Sequence, residues 1–146
     1  MHEQPPPIPN AAMPDPGFGG MPHVSVNGRL VDPNATAEQR RYATVMHLTL
    51  LLALVMPVLS VIAPLAMWMA RKDTSPFIDD HGKETLNFHI SVLIYFAISG
   101  LLAMIIIGIP MLIAAFVLAL IGMIKASTAA HRGEYYRYPA CIRLIK

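Results

Sequence analysis

Three carboxylates and a histidine crowd one short stretch of the chain: Asp79, Asp80, His81 and Glu84. Carboxylates so close together, with Asn87 just beyond, could hold a cation, and a histidine among them could pass a proton. The competing reading is a solvated helix start. Ser75 can cap a helix whose first residue is Pro76, and acidic groups in its opening turns are stabilised by the helix dipole. The second reading is preferred, because nothing else in the sequence completes a site. His81 and His89 are too far apart to chelate one ion as an i,i+4 pair, no H-E-x-x-H occurs, and Cys141 is the single cysteine. The chain also carries no phosphate loop, dinucleotide fingerprint or nucleophile elbow. The expectation is therefore no catalytic residue, no metal and no cofactor. A lipid-acting enzyme built on the 79–84 group ranks last.

A second pattern is more regular. Lys83, Asn87, Ser91, Tyr95 and Ser99 recur every four residues inside an otherwise apolar stretch. Residues four apart lie on nearly one side of a helix, so they form a slowly winding polar stripe. A polar group facing lipid has no partner, so the stripe is expected to face neighbouring helices, either as interhelical glue or as the lining of a polar cavity. Glue is preferred, with Asn87 as the central member because its amide both donates and accepts. His47 is read as a hydrogen-bonding residue near a membrane interface.

These residues need helices in a membrane to position them. The chain has 146 residues, is 55% hydrophobic and only 14% charged, with a mean hydropathy of +0.51. Scarce charge at this length points to one integral membrane domain. The small net charge of +2 and the absence of a basic cluster argue against nucleic acid. No Asp, Glu, Lys or Arg occurs from Val45 to Ala70 or from Thr85 to Ile124. The second run would make one helix about 60 Å long, twice the hydrocarbon thickness, so it must fold back. Gly108-Ile109-Pro110 marks the break.

Three hydrophobic helical segments follow, over 45–70, 85–107 and 110–130, in an all-α domain spanning 36–146. The first contains Pro57 and Pro64. Its default form is one kinked spanning helix, and the alternative is a re-entrant pair of short helices meeting near Pro57. A short amphipathic interfacial helix begins at Pro76. Thr36 to Gln39 reads as a capping box that opens the first helix. Residues 1–35, rich in proline and glycine, read as a flexible tail, within which Pro5 to Pro9 could also serve as a ligand for an aromatic groove. Trp68, Arg71 and Lys72, then Arg132, Tyr135, Tyr136, Arg137 and Tyr138, suit a headgroup layer. Ile142, Leu144 and Ile145 would lie on the membrane or against the bundle. Ala115, Ala119, Gly122 and Ala126 give the last helix a small-residue face for close packing.

Three spans would put Arg29, Arg40 and Arg41 on one side and the remaining Lys and Arg on the other. The positive-inside rule then places the C-terminus in the cytoplasm. A re-entrant first segment would return every basic residue to that compartment, so the side of the N-terminus stays open.

Three stretches together carry a resemblance. They are Pro64-Leu65 through Trp68 to Ser75-Pro76-Phe77, His81-Gly82, Glu84 and Asn87-Phe88; then Gly108-Ile109-Pro110; then Lys125-Ala126 with Arg132-Gly133-Glu134 and Tyr136-Arg137-Tyr138-Pro139. The pattern resembles the Tic-twenty-like family of small bacterial membrane proteins, to which some magnetosome membrane proteins are similar. The resemblance implies a compact helical membrane domain with no assigned reaction. The expected function is a non-enzymatic interaction or assembly component of the bacterial inner membrane, with the bilayer and a protein partner or second copy as its contacts. The alternative is a subunit of a transport, channel or translocation complex.

Overall fold

The computed structural model describes residues 24–26 and 29–146, and all statements below concern these. The tail assignment over residues 1–23, including the Pro5 to Pro9 motif, lies outside them. Val24–Val26 (β1) and Arg29–Val31 (β2) pair antiparallel, a two-stranded addition to the all-α expectation. Arg29 to Ala35, assigned to the tail, instead dock on the helical domain. The Asp32 amide donates to the Gly133 carbonyl at 3.0 Å and the Tyr135 amide to the Leu30 carbonyl at 2.9 Å, while Ala35 is buried.

Four helices follow: α1 (Ala37–Leu48), α2 (Pro57–Arg71), α3 (Pro76–Leu102) and α4 (Gly108–Arg132). The capping box at α1 is present: Thr36 Oγ1 accepts from the Gln39 amide and the Gln39 side chain accepts from the Thr36 amide.

The single kinked helix expected over 45–70 is replaced by the alternative, a broken pair. α1 runs on as a 3-10 stretch, Thr49–Leu54, and the chain turns at Val55 and Met56. Pro57 then starts α2 in the first turn, where its missing N–H costs nothing. α2 returns antiparallel to α1. Tyr42 Oη donates to the Met67 carbonyl at 2.7 Å, and Arg71 pairs with Glu38.

The separate interfacial helix is also corrected, since Pro76 opens a continuous α3 that runs on through the second hydrophobic segment as far as Leu102. Ser75 makes no side-chain cap. Gly82 does not interrupt the helix because the Trp68 ring lies where a Cβ would be, so absence of a side chain is what that position needs.

The turn after α3 comes earlier than expected, at Ile106 and Ile107, with Ile106 at φ 70. Gly108 is the first residue of α4 and a Cβ there would enter the backbone at Ser99 and Ala103. Pro110 sits harmlessly in the first turn. Gly133, at φ 77, ends α4.

The result is two helical hairpins with a shared base. α3 and α4 are long and apolar enough to cross a membrane; the expected count of three such segments is not reached. At the base, Phe77, Ile78, Met46 and Ala130 form one apolar cluster, and higher up Leu50, Phe88, Val92, Ala119 and Met123 form another. Ala115, Ala119, Gly122 and Ala126 are all buried inside the bundle, as the packing reading expected.

Candidate functional site

Three members of the polar stripe, Asn87, Ser91 and Tyr95, hold the last segment of the chain rather than a neighbouring helix. After Gly133 the backbone is non-helical, and it runs along α3 to its end. Asn87 is 1% exposed. Its Oδ1 accepts from the amides of Leu144 at 2.9 Å and Ile145 at 2.8 Å, and its Nδ2 donates to the Ile145 carbonyl at 2.8 Å. Ser91 Oγ accepts from the Ile142 amide at 2.9 Å and donates to the Asn87 carbonyl. Tyr95 Oη donates to the Ala140 carbonyl. Glu84, one turn nearer the base than Asn87 and 4% exposed, accepts from the Tyr138 amide at 2.7 Å and pairs with Arg143 at 3.3 Å.

Every one of these side chains binds backbone. Non-helical backbone within an apolar layer must be satisfied by protein, because lipid offers no partner. The stripe supplies those partners at one-turn intervals. Ala140, at φ 52, forms the bend at which the segment reverses. Beyond it a cleft of about 320 Å³ continues between α3 and α4, lined by Tyr95, Ile98, Ser99 and Ala115 among others. Ser99 therefore lines the end of the groove without gripping the segment. Lys83 stays outside and pairs with Asp79 at 2.7 Å.

The 79–84 group is dispersed. Asp79 accepts from Trp68 Nε1 at 2.8 Å. Asp80 receives both terminal nitrogens of Arg137, and that fork raises the already high guanidinium pKa. His81 points inward. The four do not converge, and no group of three or more His, Cys, Asp or Glu able to hold a metal occurs among the described residues.

His81 belongs to a buried network that the sequence did not reveal. His47 and His81 are both fully buried, which corrects the interfacial reading of His47. His81 Nε2 lies 3.1 Å from the Glu134 carbonyl, which can only accept, so this nitrogen carries a hydrogen. In the neutral ring Nδ1 then accepts, and His47 Nε2 donates to it at 2.8 Å. His47 Nδ1 is left to accept the Tyr138 hydroxyl at 2.9 Å. The Thr85 hydroxyl donates to the His81 carbonyl at 2.7 Å and borders the same nitrogen. One directed chain thus joins α1, α3 and the segment after α4. His89 donates separately to the Ser60 carbonyl at 2.6 Å and ties α2 to α3. His47 and His81 are far apart in sequence and share no motif; only the i,i+4 spacing of His81 and Thr85 was visible.

The expected interfacial residues divide. Arg71 and Lys72 lie at the base, over the rings of Tyr42 and Trp68. Arg132 is exposed beside Glu134. Trp68 is partly buried against Gly82. Tyr136 and Tyr138 are core residues, a correction with a simple cause: the Tyr138 ring stacks on Phe88 at 3.7 Å. Tyr135 packs beside Phe77 and reaches Asp32.

No curated protein and no solved structure matches this chain. A family model does match, over residues 38–145, which takes in α1 from its second residue, the other three helices, the buried histidine network and the groove with its bound segment. This agrees with the magnetosome side of the resemblance read from the sequence; the Tic-twenty-like grouping is not what the match names. By that match the chain belongs to the MamF/MmsF family, the magnetosome magnetite crystal formation protein family.

Proposed function

We propose that this chain is a multi-pass inner-membrane protein that serves magnetosome crystal formation as a non-enzymatic assembly component. The observation that carries the proposal is the commitment of its polar groups. Glu84, Asn87, Ser91 and Tyr95 bind the chain's own backbone, and His47, His81, Thr85 and Tyr138 bind one another. Groups engaged in this way stiffen a scaffold. The basic residues of both hairpins gather at the shared base, so the positive-inside rule places both termini of the helical domain in the cytoplasm and the Ile106 turn on the far side. The partner is a second protein chain or a second copy.

Gentle detergent extraction after in-cell crosslinking, followed by identification of co-purifying chains, tests the proposal. A stable complex or homo-oligomer is expected. A monomer without partners across several detergents would contradict it, and ion flux through the purified protein in liposomes would move the function to transport.

A further inference from the structure

The two hairpins share a base but not a depth. Trp68 meets Asp79 at 2.8 Å and Ser60 meets His89 at 2.6 Å, which sets α2 antiparallel to α3 in a fixed register. Continuing that register, the Val55–Met56 tip lies level with residue 93 or so of α3. From there α3 and its 3-10 end run on to Ile105, about 18 Å further. On the other side Leu50, five residues before the tip, packs with Val92 and Ala119, and α4 extends about 16 Å from Ala119 back to Gly108. The outer part of the second hairpin is accordingly bare: Leu101 is 73% exposed, Met104 87% and Ile106 75%.

Measured along α3 from Thr85, where its charge-free run begins, the first hairpin reaches only about 12 Å, less than half of a hydrocarbon core about 30 Å thick. The C-terminal segment lies in the same half, since its deepest hydrogen bond is from Tyr95. One leaflet therefore contains four helices and an extended segment, and the other contains two helices. With helices about 10 Å across, the excess is on the order of 200 Å² in the leaflet next to the base.

We propose that the fold is a bilayer wedge, and that its preferred partner is a membrane convex on the side that holds the base. Bending a bilayer expands its convex leaflet, and an inclusion with more area there relieves the mismatch. This rests on the reading that α3 and α4 cross the bilayer.

The test reconstitutes the full chain carrying Cys141→Ser and Asp73→Cys, Asp73 being exposed at the base. Lipid vesicles of about 50 and about 400 nm are used. An impermeant dye labels molecules whose base faces outward; a second dye added after permeabilisation labels the rest. Outward molecules should be denser per unit area on the small vesicles than on the large ones, and inward molecules depleted. Equal densities in both orientations, or enrichment of both, would overturn the wedge. Loss of the protein to alkaline carbonate washing would instead overturn the membrane-crossing premise, and the wedge with it.

Discussion

Replacing Asn87 by leucine removes the middle clamp on the C-terminal segment. Three hydrogen bonds disappear together, to the Leu144 and Ile145 amides and the Ile145 carbonyl. Hydrogen bonds in this setting contribute about 0.6 to 1.5 kcal/mol each, so the clamp amounts to about 2 to 4 kcal/mol. The segment is short and can detach without unfolding the bundle, so the loss falls mainly on its own opening equilibrium. At about 1.4 kcal/mol per factor of ten, 2 kcal/mol gives about a thirtyfold rise in the open fraction. Hydrogen–deuterium exchange of the C-terminal peptide in detergent reads this directly. Asn87→Leu should speed exchange over Cys141 to Lys146 about thirtyfold or more and leave α1 and α4 nearly unchanged. Unchanged exchange in the segment would refute the clamp. Faster exchange first in α1 or α4 would restore the interhelical reading of the stripe.

Other consequences are as direct. Gly82→Ala, normally favourable in a helix by about 1 kcal/mol, should lower thermal stability here because its Cβ enters the Trp68 ring. At the turn, Gly108→Ala should reduce membrane accumulation, Pro110→Ala should not, and Ile106→Gly should stabilise by about 1 kcal/mol by relieving a β-branched residue at φ 70; immunoblots and melts check these. His47→Leu leaves the Tyr138 hydroxyl and His81 Nδ1 without their partner and should cost about 2 to 4 kcal/mol, and adding His81→Leu should cost less than the sum of the two single changes in denaturation curves.

The sequence carried the apolar runs, the fold-back within the second run, the capping box and the small-residue face of α4, because each is a local or periodic signal. It also carried the polar stripe, though not its partner. Backbone amides of a short extended segment have no signature in side-chain identity, so Leu144 and Ile145 could not be matched to Asn87 in advance. Pro57 was ambiguous for a related reason. Proline is equally at home inside a kinked spanning helix and at the start of a new one, and the choice is made by Tyr42, Glu38 and Arg71, which close the first hairpin at its base. The His47–His81 pair was hidden because two separate helices supply it. Tyr136 and Tyr138, among arginines, look like headgroup anchors until the Phe88 ring is placed against Tyr138 and Tyr138 against Tyr136.

The central claim is that both hairpins start and end on one side. Single cysteines in a Cys141→Ser background measure it: Asn34→Cys before α1, Asp73→Cys between the hairpins and Met104→Cys at the distal turn, all at exposed positions. With an impermeant maleimide on spheroplasts, the account predicts that Asn34→Cys and Asp73→Cys label only after lysis, whereas Met104→Cys labels without it. Labelling of Asn34→Cys in intact spheroplasts, with Asp73→Cys still protected, would mean that the first segment crosses the membrane completely and would contradict the two-hairpin account.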